Sequence, residues 1–275
     1  MQPGDLNLTT DIIGHQRFVF LKIPLELQGP ELAGRIDGLS RGMQNLNDAT
    51  GSPSKNALQR GCYQILQGLP ERSSPREIDH PAVIEANLLI RLESSDPQTL
   101  LCYETGLRKE VEPLGVTVES LVGVQRPRSY TSHAMTQFAY AAAQGPGPAE
   151  RHPLGVVTPL NKTQQWWDFD SMHRESFFLP RYDTDENVIV KGHSLAAAAG
   201  ISCITRRLMH APDGYGRKSI YDFVGYFEFS EENASVFEEV MAGLRDLGQN
   251  PEWKYVQEGP EWWGRRIRRA SDLWQ

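Results

Sequence analysis

A chain of 275 residues with 39% hydrophobic and 23% charged side chains is long enough to bury a core without staples, which excludes global disorder. A mean hydropathy of −0.46 and the lack of a long apolar run exclude a membrane-spanning protein. Lysine and arginine number 28 against 35 aspartate and glutamate, a net charge of −7, so nucleic acid is not an expected partner. Cys62, Cys102 and Cys203 are far apart and lack metal or haem-attachment spacing, which suits a reducing compartment. The opening MQPGDLNLTTDIIGHQR has no secretory-signal pattern, and a cytoplasmic location is expected.

Along the chain, RFVFLKIPLEL from Arg17 to Leu27 predicts a strand, and Leu32, Ile36, Leu39 and Met43 after it have helical spacing. Asp48 to Pro75 is rich in Gly, Ser, Pro and Asn and reads as a loop, with a short helix near Asn56 to Leu69. EANLLIRL from Glu85 predicts a second strand. A helix carrying Leu100, Leu101, Tyr103 and Leu107 follows, and VTVESLVGVQR extends again. Two Gly-Pro pairs within Ala141–Pro153 mark a boundary between residues 1–145 and 153–275. The second half reads as a helix ending at Gly200, a strand ISCITRRLMH, a turn APDGYGRKS and a strand IYDFVGYFEF. A helix over NASVFEEVMAGLRDL and a last strand near EWKYVQE complete it. The order implies an α+β protein of two units, each an antiparallel sheet with helices on one face.

Four places in the second half carry candidate chemistry. Alternation along 201–210 puts Arg206 on one face with Ile204 and Leu208, where a guanidinium needs a carboxylate or a ligand anion. His193 sits in KGHSLAAAAG, whose small residues leave room for a bulky ligand around one imidazole, although a histidine beside alanines also packs as an ordinary residue. When such a histidine binds iron, its other ring nitrogen donates to a carboxylate or carbonyl. Lys162 precedes the pair Trp166 and Trp167 in NKTQQWWDF, offering an aromatic wall and a cation to a planar, carboxylate-bearing cofactor, or else a core filler. Trp262 and Trp263 in EGPEWWGRRIRR read as packing or a subunit contact. The GxxDG string around Asp37 matches a peroxidase pattern but falls in a helix face and is set aside. His15, His80, His133, His152, His173 and His210 show no non-haem metal spacing, and the chain has no GxSxG, no Walker loop and no GxGxxG after a strand.

Taken together, PLNKTQQWW, KGHSLAAAAGISCITRRLMHAPDG and IYDFVGYFEFSEENASVFEEVM resemble the C-terminal half of the chlorite dismutase family. A lysine four residues before a tryptophan pair, then a histidine, then an arginine thirteen residues on, then a YFE-type strand, recur in that order. The resemblance covers roughly residues 153–260. It implies two ferredoxin-like halves forming a dimeric α+β barrel, His193 as the axial ligand of haem b, and Arg206 as the distal arginine. It also implies that Lys162, Trp166 and Trp167 line the haem pocket, and that the chain forms a homo-oligomer, often a pentamer. FDSMHRESFFLPRYDTDENVIV, between Trp167 and His193, is longer than the family's and bears on pocket access. Thr158 stands where related coproheme decarboxylases carry a tyrosine, and the arginine at 206 is one they generally lack, so decarboxylation is not implied.

The activity implied is a haem-dependent oxidoreductase converting chlorite to chloride and dioxygen. The same parts also suit a haem peroxidase or oxidative tailoring enzyme with a small organic substrate, or a haem-binding module without turnover.

Overall fold

The computed structural model describes residues 14–49, 51–126, 138, 143–216 and 220–274. The opening thirteen residues, His133, and Ala141 and Ala142 of the boundary segment lie outside the described residues. Among the described residues, four longer strands come from the first half: β1 (Gly14–Lys22), β2 (Cys62–Gly68), β3 (Leu88–Ser94) and β4 (Thr117–Gln125). Four longer strands come from the second: β5 (Leu154–Lys162), β6 (Thr205–His210), β7 (Phe223–Phe229) and β8 (Trp262–Ile267). The longer helices are α1 (Pro30–Leu39), α2 (Pro97–Val111) and α4 (Ala234–Arg245), with a short α3 (Gly192–Ala196) before β6.

Within the first half the strands lie in the order β2-β3-β1-β4, and within the second in the equivalent order β6-β7-β5-β8. Both are the ferredoxin-like arrangement. β2 pairs with β8 over Ile65 to Gly68, β4 meets β6 at Val124 and His210, and β5 pairs with β7. The ring of eight antiparallel strands is therefore closed, and this is the two-half α+β barrel that the family resemblance implied.

Alternation along each strand separates the barrel interior from the helix-covered exterior. Phe18 and Phe20 join Leu66, Leu89, Val157, Met209 and Trp262 in a cluster drawn from both halves, which places it inside. Val19 and Leu21 face outward with Ile90 and Leu92 onto Leu32, Ile36, Leu100 and Leu107 of α1 and α2. α2 starts where it does because the Asp96 carboxylate accepts from the Gln98 and Thr99 amides, with Pro97 in the first turn.

Several elements differ from the sequence reading. β1 stops at Lys22, and Pro24 leads into a single 3-10 turn at Leu25–Leu27. The expected loop after Asp48 contains β2, and β8 follows the last expected strand. In both, polar side chains point into the barrel: Gln64 donates to Glu228 at 2.6 Å, and Arg266 is 5% exposed and ion-paired with Glu228 at 3.3 Å. The Gly-Pro segment is packed, since Arg266 donates to the Gly147 carbonyl and Thr205 to that of Gly145. Asp37, set aside above, lies in α1 and accepts from the Ala270 amide at 2.8 Å. No described helix is long and apolar enough to cross a membrane.

Candidate haem site

The outward face of the second half is not filled as that of the first half is. Thr158, Leu160 and Lys162 of β5, with Arg206 and Leu208 of β6, form one wall of a cavity. The wall across from them carries His193 of α3 and Val240, Met241 and Leu244 of α4. About 1230 Å³ of empty space lies between, the open mouth included. Small residues keep it open: Ala197 and Gly200 follow α3, and Gly225 lies in β7 where an added Cβ would stand 2.6 Å from the Thr158 hydroxyl.

His193 is a half-buried lining residue whose Nδ1 lies 2.6 Å from Glu252 Oε2. The second carboxylate oxygen of Glu252 accepts from Lys162 Nζ. Glu252 comes from a 3-10 turn, Pro251–Tyr255, and is 2% exposed. Burial pushes its carboxyl up, but the Lys162 ammonium and His193 outweigh that and bring it down to about 2. Burial pulls Lys162 below the ordinary ammonium range, against the pull of Glu252. These two directions compete within one pair. We hold it as carboxylate and ammonium, because neither charge can turn to water and each has the other within bonding distance. The lysine is thus engaged by Glu252 rather than offered to a cofactor carboxylate.

Trp166 lines the cavity with Lys162 Nζ 4.2 Å above its ring. Trp167 does not line it. Its ring stacks on Tyr215 at 4.5 Å and its indole nitrogen donates to Asp222 at 3.3 Å. Asp222 also accepts from the Lys162 amide at 2.9 Å and the Gly216 amide at 2.5 Å, and burial nevertheless pushes its carboxyl up. Trp167 therefore braces the strand end that carries Lys162, from behind the cavity wall.

Arg206 faces the cavity, opposite Phe227 in the register of β6 and β7, and makes interactions of its own within the chain. Its neighbour Arg207 lies by Gln64, Arg91 and Glu228 at the barrel end. Alternation thus delivers one guanidinium to the cavity and the other to the interior.

These residues suit an iron porphyrin. The walls are largely apolar, the imidazole reaches in from one side, and the Glu252 bond to Nδ1 leaves Nε2 to ligate iron.

The fold has solved counterparts. A mutant chlorite dismutase from Candidatus Nitrospira defluvii superposes with a TM-score of 0.67 at 15% identity, over 97% of this chain and 96% of that one. This chain has the chlorite dismutase fold. The same organism's chlorite dismutase in complex with imidazole gives 0.67 at 16% identity, over 97% and 96% of the two chains. A mutant of it in complex with cyanide gives 0.66 at 16%, over 97% and 95%. No family model and no curated protein sequence matches the chain.

On that chlorite dismutase fold, Lys162, Trp166, His193 and Arg206 meet in one cavity, and Trp167 stands behind it. Sequence reading missed Glu252, whose 59-residue separation from His193 hides it. The available signal was the need for a carboxylate on the second imidazole nitrogen. The segment between Trp167 and His193, expected to bear on pocket access, forms a helix at Ser171–Ser176 and a hairpin of Arg181–Tyr182 with Val188–Val190.

Proposed function

We propose that this protein binds haem b through His193 and acts as an oxidoreductase of chlorite dismutase type. The observation that carries the reading is the pairing of a carboxylate-backed imidazole on one wall with a guanidinium on the facing wall of a single cavity. Glu252 accepts a hydrogen bond from Nδ1–H, fixes the tautomer and makes Nε2 a stronger donor, while Lys162 balances the carboxylate's charge. Trp166 shields that pair from water with its ring face. Haem b, when bound, supplies an open coordination position and the redox chemistry that converts chlorite to chloride and dioxygen. Arg206, charged at every working pH, attracts the anion and holds the anionic leaving group close to the site of reaction.

The apolar lining supports a second reading, a peroxidase or tailoring enzyme with a small organic substrate: Leu160, Leu208, Phe223 and Phe227 offer it surface. Assembly as a homo-oligomer, pentameric or otherwise, belongs to the first reading and is measured by light scattering.

Reconstitution with haem tests the proposal. The wild-type protein should give a Soret band, and His193→Ala should give none. Arg206→Gln should keep the band and lose roughly 100-fold in chlorite turnover on an oxygen electrode. A wild-type protein without a Soret band ends the haem reading. Haem binding with no oxygen from chlorite, together with peroxide-driven oxidation of an organic donor, selects the second reading.

A further inference from the structure

The imidazole of His193 is held from two sides, and only one of them is Glu252. The first-turn amides of α3 have no partners within so short a helix, and the inserted segment supplies them. The His193 amide donates to the Phe177 carbonyl at 3.2 Å and the Ser194 amide to the Phe178 carbonyl at 3.1 Å. Gly192, one residue earlier, donates to Gln249 at 2.9 Å. This close approach depends on Gly192, whose φ of +61° lies in the left-handed region. A Cβ there would stand 2.5 Å from the Leu179 carbonyl oxygen and 3.1 Å from that of Phe177.

The side chains of the insert complete the hold. The Phe178 ring lies 5.3 Å from the His193 ring at 53°, and also meets Trp166 edge-on at 6.1 Å. Phe177 packs on Trp166 at 5.6 Å and on Tyr255 at 5.3 Å. Tyr255 ends the turn that carries Glu252. The insert thus wedges between the three stretches of chain that bear Lys162, His193 and Glu252.

We infer that residues 169–190 are a clamp for the axial histidine, in which the Phe177 and Phe178 carbonyls, the Phe178 ring and Gly192 set the rotation of the imidazole and its hold on the iron. This inference rests on the haem reading above and deepens it. These are positioning residues. Gly192 is not part of the cavity wall, so its substitution reaches the cofactor only through the helix.

The test compares wild type, Gly192→Ala and Phe178→Ala, each reconstituted with haem. Transfer of haem to excess apomyoglobin gives the release rate, and the iron–histidine stretching band of the ferrous protein gives the state of the axial bond. We expect Gly192→Ala to release haem about tenfold or more faster with a shifted band, and Phe178→Ala to shift the band in the same direction. Phe178→Leu, which restores bulk without a ring, should recover the release rate in part. If Gly192→Ala fails to fold by circular dichroism, the band of Phe178→Ala decides, since that change puts no strain on the backbone. Wild-type release rates and an unmoved band in the folded variants overturn the clamp and leave the haem reading standing. A wild-type protein that takes up no haem overturns both.

Discussion

The two halves of the barrel share one topology and differ in what covers their outer faces. In the first, the ten-residue α1 and fifteen-residue α2 lay Leu32, Ile36, Leu100 and Leu107 onto Val19, Ile90 and Leu92, and the layer is solid. In the second, the helix in the position of α1 is the five-residue α3, followed by Ala197, Ala198 and Gly200. The space this leaves is the cavity. A fold that normally completes its core with two long helices has built a ligand site here by shortening one of them and thinning its side chains, at the cost of apolar contacts that a bound ligand can restore.

Charge placement on the two outer faces differs in the same way, and the largest expected effect follows from it. Glu104 in the first half pairs with Arg17 and Arg108, whose side chains are 19% and 32% exposed. Glu252 in the second half pairs with Lys162, whose side chain is 8% exposed. Glu252→Gln strands a buried ammonium and should cost about 3–5 kcal/mol, whereas Glu104→Gln leaves arginines that water reaches and should cost about 1–2 kcal/mol. Urea titration of both variants measures the contrast, and equal losses would break it. Acid sharpens it. The Glu252 carboxyl is depressed to about 2 in the folded protein from an ordinary 4.5, so below about 4.5 the unfolded chain binds the proton first. Stability of about 3 kcal/mol from this group is complete above that pH and drains away as pH falls toward 2. Glu252→Gln should flatten that part of the acid unfolding curve.

Next in size is a deletion in the filled half. Leu107 is fully buried between α2 and the sheet, and Leu107→Ala should open a new cavity at a cost of about 2–5 kcal/mol. Thermal unfolding of the haem-free protein should show a lower midpoint with no change in haem affinity, because the site is on the other half.

How much of this was legible follows from where polar groups point. Strands such as β1 and β3, whose outward faces are Val19, Leu21, Ile90 and Leu92, carry apolar runs that read as strands. β2 and β8 were not legible because Gln64 and Arg266 face inward, into a polar network at one end of the barrel. There, Arg91 donates to Gln16, Gln64 and Glu93. A pattern that equates polar with exposed reads such strands as loop or surface. In the candidate site, Lys162, Trp166, His193 and Arg206 lie within one stretch of chain with tell-tale spacing, and they do converge. Glu252 and the carbonyls of Phe177 and Phe178 carry no such mark, one being a lone acid in a turn and the others main-chain atoms. Trp167 shows the limit of adjacency: in a short helix, neighbouring residues point about 100° apart, so one tryptophan reaches the cavity and the other its support.

The smallest effect is the most telling about the cavity itself. Leu160 has the same side chain as Leu107 but already borders empty space on one side. Its removal enlarges an existing opening and forfeits contacts on the remaining sides only, so Leu160→Ala in the haem-free protein should cost about 1 kcal/mol. With haem bound, the same leucine would gain a partner surface, and the difference between wild type and variant should grow. Thermal unfolding with and without haem measures both. A loss as large as that of Leu107→Ala in the haem-free protein would mean that the second half is packed as tightly as the first, and the contrast between the halves would be gone.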